Sequence, residues 1–142
     1  MKKSLDRDLL ILLADTARLI RTRADQRART HGMTRAQWIV LARLERQPGM
    51  SQNDMAQILE CEPITVVRLV DRLERHGLVE RRMDPKDRRI RRLHLTGAAF
   101  PILDEIKRNR VELNAQIAKG IDRQTLAALT NGLLKIKANM AG

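Results

Sequence analysis

The stretch Glu62-Pro63-Ile64-Thr65-Val66-Val67-Arg68-Leu69-Val70-Asp71-Arg72-Leu73-Glu74-Arg75-His76-Gly77 decides the reading of this chain. At about 100° per residue, Val66, Leu69, Val70 and Leu73 share an arc of about 100°. Thr65, Arg68, Arg72 and Arg75 share an arc of about 80° on the other side. One face is apolar and the other cationic, as expected of a helix packed on a core and facing a polyanion. Pro63 fits the first turn, where its missing N–H is not needed, and His76-Gly77 closes the helix.

Two short strands are expected next, at about 78–83 and 90–95, joined by Asp84-Pro85-Lys86-Asp87-Arg88-Arg89, whose Asp, Pro and charge are turn chemistry. Upstream, Thr34 is expected to cap a helix over 35–46, and Pro48-Gly49 ends it. Ser51 is expected to cap a short third helix, with Asp54 in a variant capping box. The first helix carries Leu5, Leu9, Leu12, Leu13, Ala17, Ile20 and Ala24 at steps of three and four, and Gly32 ends it. After the hairpin, Thr96 is expected to cap a fifth helix over about 97–119, with Pro101 predicting a bend or a late start. Gly120 ends it, and Asp122 caps a sixth. The fold class is therefore mainly α with a small β-hairpin wing, a winged helix-turn-helix with flanking dimerisation helices. The chain reads as a single domain over 1–142, with the winged lobe at 34–95 and dimerisation helices at 5–31 and 97–140. Those flanking helices carry more apolar surface than one small domain covers, which predicts a symmetric homodimer.

The bulk composition points the same way. The 142 residues hold 28 Lys and Arg against 17 Asp and Glu, a net charge of +11. A surplus of that size favours a polyanionic partner, nucleic acid ahead of an anionic membrane surface. A membrane-surface helix would oppose its charges with a broad aromatic face, and this chain has one Trp, one Phe and no Tyr. The single cysteine, Cys61, excludes an intramolecular disulfide and fits a cytoplasmic home. The N-terminus lacks an apolar signal core and no run spans a membrane. His31, His76 and His94 fall in three different elements with no ligand spacing, so no metal or other cofactor is expected. No nucleophile with a placed base and no Gly-rich phosphate loop is present, which argues against an enzyme.

A double-stranded DNA partner then divides the basic residues by role. Arg68, mid-helix, is placed for base edges, where arginine bonds two guanine acceptors. Pro63 and Thr65 are placed for phosphate or a thymine methyl group, and Arg72 and Arg75 for phosphates. Ser51 and Gln52, opening the third helix, belong to the same interface. Lys86, Arg88 and Arg89 at the hairpin tip, with Arg91 on the return strand, suit a narrow A·T minor groove. Asp71 is read as the internal partner of a wing arginine, and Asp87 as an orienter of the tip arginines.

Three stretches carry a family resemblance: Met33-Thr34-Arg35-Ala36-Gln37-Trp38-Ile39-Val40-Leu41, Leu69-Val70-Asp71-Arg72-Leu73-Glu74-Arg75-His76-Gly77-Leu78-Val79, and Asp84-Pro85-Lys86-Asp87-Arg88-Arg89 running to Leu93-His94-Leu95-Thr96. In order and spacing the chain resembles the MarR/SlyA family of bacterial transcriptional regulators. The resemblance implies an obligate homodimer on a pseudo-palindromic operator, with Arg68 as the recognition-helix arginine and Arg89 as the wing-tip arginine. It implies a repressor released by a small anionic or phenolic effector, such as an aromatic carboxylate or an acyl-CoA. Arg18, Arg21 and Trp38 are the expected pocket residues. Alternatives at this level are a non-specific architectural DNA-binding protein and a redox-responsive regulator using Cys61.

Overall fold

The computed structural model describes residues 5–142. Helix α1 spans Leu9–Thr30, opening where Asp8 accepts from the Ile11 N–H. It ends at Gly32, whose φ of 71° is a conformation that a side chain disfavours. Helix α2, Arg35–Arg46, begins with a reciprocal capping box. The Thr34 hydroxyl accepts from Gln37 N at 3.2 Å, and Gln37 Oε1 accepts from Thr34 N at 2.9 Å.

Strand β1, Met50–Ser51, corrects the two-stranded expectation. Gly49, at φ 83°, turns the chain after α2 and its N–H donates to Leu93 O. Met50 and Ser51 then pair with Leu93 and Arg92. Two residues are too few to show an alternating pattern, so the sequence alone did not mark this strand. Helix α3, Gln52–Leu59, follows, with the Ser51 hydroxyl accepting from Asp54 N. Helix α4 spans Pro63–Arg75. Strands β2, Val79–Met83, and β3, Arg91–Leu95, pair antiparallel from Val79↔Leu95 to Met83↔Arg91, giving the sheet order β1-β3-β2.

Helix α5, Ala99–Ala118, starts later than the expected residue 97. Thr96 does not cap it with its side chain; its hydroxyl donates to Gly77 O at 2.5 Å, tying the end of β3 to the end of α4. Pro101 thereby falls in the first turn, where no amide is required. Helix α6, Arg123–Ala141, is capped by Asp122, which accepts from Thr125 N at 2.7 Å.

The chain divides into two compact units, Met1–Asn109 and Arg110–Gly142. The first has a core of Val40, Leu41 and Leu44 from α2, Met55 from α3, Val66, Val70 and Leu73 from α4, and Leu93 from β3. Each such side chain contributes about 1.5–3 kcal/mol on burial. In the second, no α6 side chain is buried, and Leu129, Leu133, Leu134 and Met140 are exposed. Among the described residues no helix is long and apolar enough to cross a membrane.

Candidate nucleic-acid interface

Helix α4 is amphipathic in the way its spacing dictates. Val66, Val70 and Leu73 are buried, while Thr65, Arg68, Arg72 and Arg75 are exposed. Its N-cap residue, Glu62, makes no side-chain cap bond, and Pro63 occupies the first turn. Pro63 has no N–H and the Thr65 N–H donates to Glu62 O at 2.9 Å, so the helix opens without a side-chain cap and turns the positive end of its dipole to solvent. Arg75 Nε donates to Asp71 O. No hydrogen bond or ion pair among the described residues engages the side chain of Arg68 or Arg72.

The acidic residues of α4 flank that surface and are turned to one arginine on β2. Asp71 Oδ1 meets Arg81 Nη1 at 2.7 Å, and Glu74 Oε1 meets the same nitrogen at 3.1 Å. Arg81 Nη2 donates to Val67 O at 2.8 Å, and Arg81 Nε donates to Gln52 Oε1 at 2.8 Å. Glu74 Oε2 also accepts from Arg81 N. The wing arginine that partners Asp71 is thus Arg81, on β2. Sequence reasoning passed over Arg81, because nothing in a run of Glu-Arg-Arg separates an internal arginine from a solvated one.

The hairpin turn is organised by Asp84, which is buried. Its Oδ1 accepts from Lys86 N at 2.7 Å and Asp87 N at 3.0 Å, and its Oδ2 accepts from Arg92 Nε at 2.6 Å. The Arg92 bond first, and then the Lys86 amide, hold the Asp84 carboxyl below its ordinary value. Arg92 Nη1 also donates to Gly49 O at 3.0 Å, so the return strand is fastened to both the tip and the turn before β1. Asp84 is the further wing residue that sequence reasoning missed; an Asp opening an Asp-Pro turn is the available signal.

At the tip, Lys86, Arg88 and Arg89 are exposed. Asp87 accepts from Arg89 N at 3.0 Å and from Arg89 Nε at 3.3 Å, and the Arg89 side chain is 91% exposed. Arg91 Nη1 donates to Arg88 O. Lys86, Arg88 and Arg89 thus sit together on one turn, while Pro63, Thr65, Arg68, Arg72 and Arg75 share one helix. Ser51 and Gln52 stand at the start of α3, the Ser51 hydroxyl engaged as a cap and Gln52 held through its carbonyl oxygen.

Arg18 is exposed on α1 with Asp15 at 3.9 Å, and Arg21 is exposed on the same helix. Trp38 is buried; its Nε1 donates to Met33 Sδ at 3.3 Å and its ring lies 5.7 Å from that of His31. A cavity of about 190 Å³ opens nearby, lined by His31, Gly32, Met33, Gln37, Leu73, His76, Leu78 and Ile102. None of Arg18, Arg21 and Trp38 lines it. Cys61 is a half-buried thiol on the turn between α3 and α4. Among the described residues no three His, Cys, Asp or Glu side chains cluster as metal ligands.

Comparison with known proteins converges on this lobe. A sequence model of the MarR family matches residues 31–90. The solved transcriptional regulator PA3341 is 34% identical, with 92% of this chain and 96% of that chain covered at a TM-score of 0.79. A MarR family transcriptional regulator from Listeria monocytogenes, complexed with 26mer DNA, is 26% identical over 95% of this chain and 90% of that one, TM-score 0.79. Wild-type MarR from E. coli in its apo form shares the fold at a TM-score of 0.82 and 22% identity, over 91% of this chain and 96% of that one. A relative at 34% identity over nearly both full chains, with a family match that runs from α2 through α4 and β2 to the hairpin tip, makes this chain a member of the MarR family of transcriptional regulators, with a DNA-binding winged helix-turn-helix.

Proposed function

We propose that the protein is a homodimeric, sequence-specific repressor that binds a pseudo-palindromic operator in double-stranded DNA and leaves it when a small anionic or phenolic effector binds. The observation that carries the DNA reading is the sorting of charge on α4. Its carboxylates are consumed by Arg81 on one side, and on the other Arg68 and Arg72 have no side-chain partner among the described residues. In this reading α4 enters the major groove with Arg68 on base edges and Thr65, Arg72 and Arg75 on the backbone. Pro63 and the uncapped first turn approach a phosphate, with Ser51 and Gln52 beside them. Lys86, Arg88, Arg89 and Arg91 carry the wing to the adjacent minor groove, Asp71 and Asp87 holding it in place.

The dimer reading rests on exposed apolar side chains: Leu9, Leu10 and Leu12 on α1, Val111 and Ile117 on α5, and Leu129, Leu133 and Leu134 on α6. Such patches usually mark an interface. The 34–95 lobe then reads DNA while 5–31 and 97–140 dimerise, and the protein acts in the bacterial cytoplasm without catalysing a reaction. The effector reading rests on the cavity beside the end of α4, where the imidazoles of His31 and His76 and the amide of Gln37 stand among apolar walls. An aromatic carboxylate or the acyl end of an acyl-CoA suits that lining.

Selection of binding duplexes from a random pool, followed by titration of a selected and a random duplex across a salt series, tests the proposal. A preference well above tenfold with a footprint of about two helical turns supports a dimeric specific regulator. Equal affinity with a steep salt slope would make it an architectural binder instead.

A further inference from the structure

We propose that Arg81 is a positioning residue for DNA reading: it sets the orientation of α4 against the wing and aims the Gln52 amide at the DNA backbone. This rests on the reading of α4 and the wing as the DNA interface. Arg81 lies on β2, the strand leading into the wing. Its side chain is 17% exposed, too enclosed to meet a phosphate itself. Its three guanidinium nitrogens reach Gln52 on α3 and Val67, Asp71 and Glu74 on α4, at 2.7–3.1 Å. One planar group thus joins both helices of the helix-turn-helix to the wing, and the rigid fork geometry of arginine admits few alternative arrangements. Val67, Asp71 and Glu74 run along one side of α4 for two turns, so the grip fixes rotation of that helix about its axis as well as its distance from β2. Arg68 adjoins Val67, and any rotation that releases Val67 O moves Arg68 off its base step.

The bond to Gln52 has a second consequence. An amide has one acceptor and two donors on opposite arms. With Oε1 held by Arg81 Nε, the Gln52 Nε2 is turned to the other side. There, at the start of α3, it is a donor for a phosphate oxygen.

The test uses the full-length protein, a duplex selected by the wild type and a random duplex. Arg81→Lys keeps the charge and loses the fork. The expected result is a loss of at least tenfold in affinity for the selected duplex. Affinity for the random duplex falls less, by no more than the roughly fivefold that the Gln52 phosphate contact supplies, and the salt slope is unchanged because Arg81 displaces no counterion. Gln52→Ala lowers wild-type affinity about fivefold and has little further effect in the Arg81→Lys background, since the amide is no longer aimed. A folded Arg81→Lys variant that keeps the wild-type ratio of selected to random affinity overturns the proposal, even if its melting temperature falls. A salt slope reduced by about one, with equal losses on both duplexes, overturns it too, by making Arg81 a phosphate contact. If Arg81→Lys does not fold, Asp71→Asn, which removes one acceptor, is expected to reduce the ratio in smaller measure, and an unchanged ratio there overturns the proposal. A wild type with no preference for any selected duplex overturns the underlying interface reading along with it.

Discussion

Asp84 and Arg92 face each other across the hairpin, with Asp84 Oδ2 accepting from Arg92 Nε at 2.6 Å. The bond closes a circuit, because the other Asp84 oxygen holds the tip amides and Arg92 reaches back to Gly49 O. A tip carrying several exposed cations would otherwise splay under its own repulsion. Binding a minor groove with an ordered tip avoids the entropy of ordering it at that moment.

Asp84→Asn is therefore expected to lower the melting temperature at neutral pH and weaken DNA binding through the wing. Because the Asp84 carboxyl is held below its ordinary value of 3.8, the stability it provides is fully present above that pH and is lost as the pH falls through the lower folded value. Thermal melts across pH should show the gap between wild type and variant closing in acid. A gap that stays constant to low pH would show that the charge of Asp84 is not what stabilises the turn.

Arg68→Ala and Arg89→Ala are expected to separate two kinds of readout. Loss of Arg68 should cost about 1–3 kcal/mol on a selected duplex and relax the preference at one base position. Loss of Arg89 should weaken binding chiefly where the flanks are A·T-rich, because a narrow minor groove concentrates negative potential. Titration of duplexes with single base changes and with A·T or G·C flanks distinguishes them. A uniform loss for Arg68 would make it a phosphate contact, and equal loss on both flanks would keep Arg89 out of the minor groove.

The helices and their caps were legible in the sequence because their signals are local. Thr34, Ser51 and Asp122 each accept from the amide three residues on, and the α4 wheel separates apolar from basic positions as the spacing requires. What the sequence hid is non-local. Strand β1 exists because residue 50 meets residue 93, and Arg81 is internal because residue 52 lies across from it. Thr96 has the chemistry of a cap, yet its hydroxyl goes to Gly77 O, a preference only the folded chain creates. Arg18, Arg21 and Trp38 were placed by resemblance alone, and the cavity beside α4 has other walls.

His94 gives the wing sheet a second pH dependence, of known sign. Burial first, and then the Arg82 guanidinium, push its pKa below 6.5, with Arg92 adding to this and Glu80 opposing it. A Cβ on Gly49 would lie 3.4 Å from the His94 ring, which marks the tightness of the site. The folded state thus binds the proton more weakly than the unfolded chain. Stability is unaffected above about 6.5 and falls as the pH drops from there toward the lower folded value. His94→Gln should remove that part of the slope in pH-dependent melting. An identical slope in the variant would assign it to another group.

Leu10 on α1 is 77% exposed, and Leu133 on α6 is 48% exposed. Neither contributes to the core of its own unit, so a charge at either position should leave the fold intact, within about 0.5 kcal/mol. If these helices form the dimer, burying a Leu there is worth about 1.5–3 kcal/mol per protomer, and a buried unpaired carboxylate costs more than that. Leu10→Glu and Leu133→Glu are expected to sediment as folded monomers at micromolar concentration. Their footprint on a selected duplex should shrink to one half-site, with affinity lost because the second winged lobe no longer adds to the first. The circular dichroism spectrum should keep its helical signal. A variant that stays dimeric and keeps the full footprint would remove its helix from the interface, and both doing so would leave the exposed leucines of α1 and α6 without a role in dimerisation.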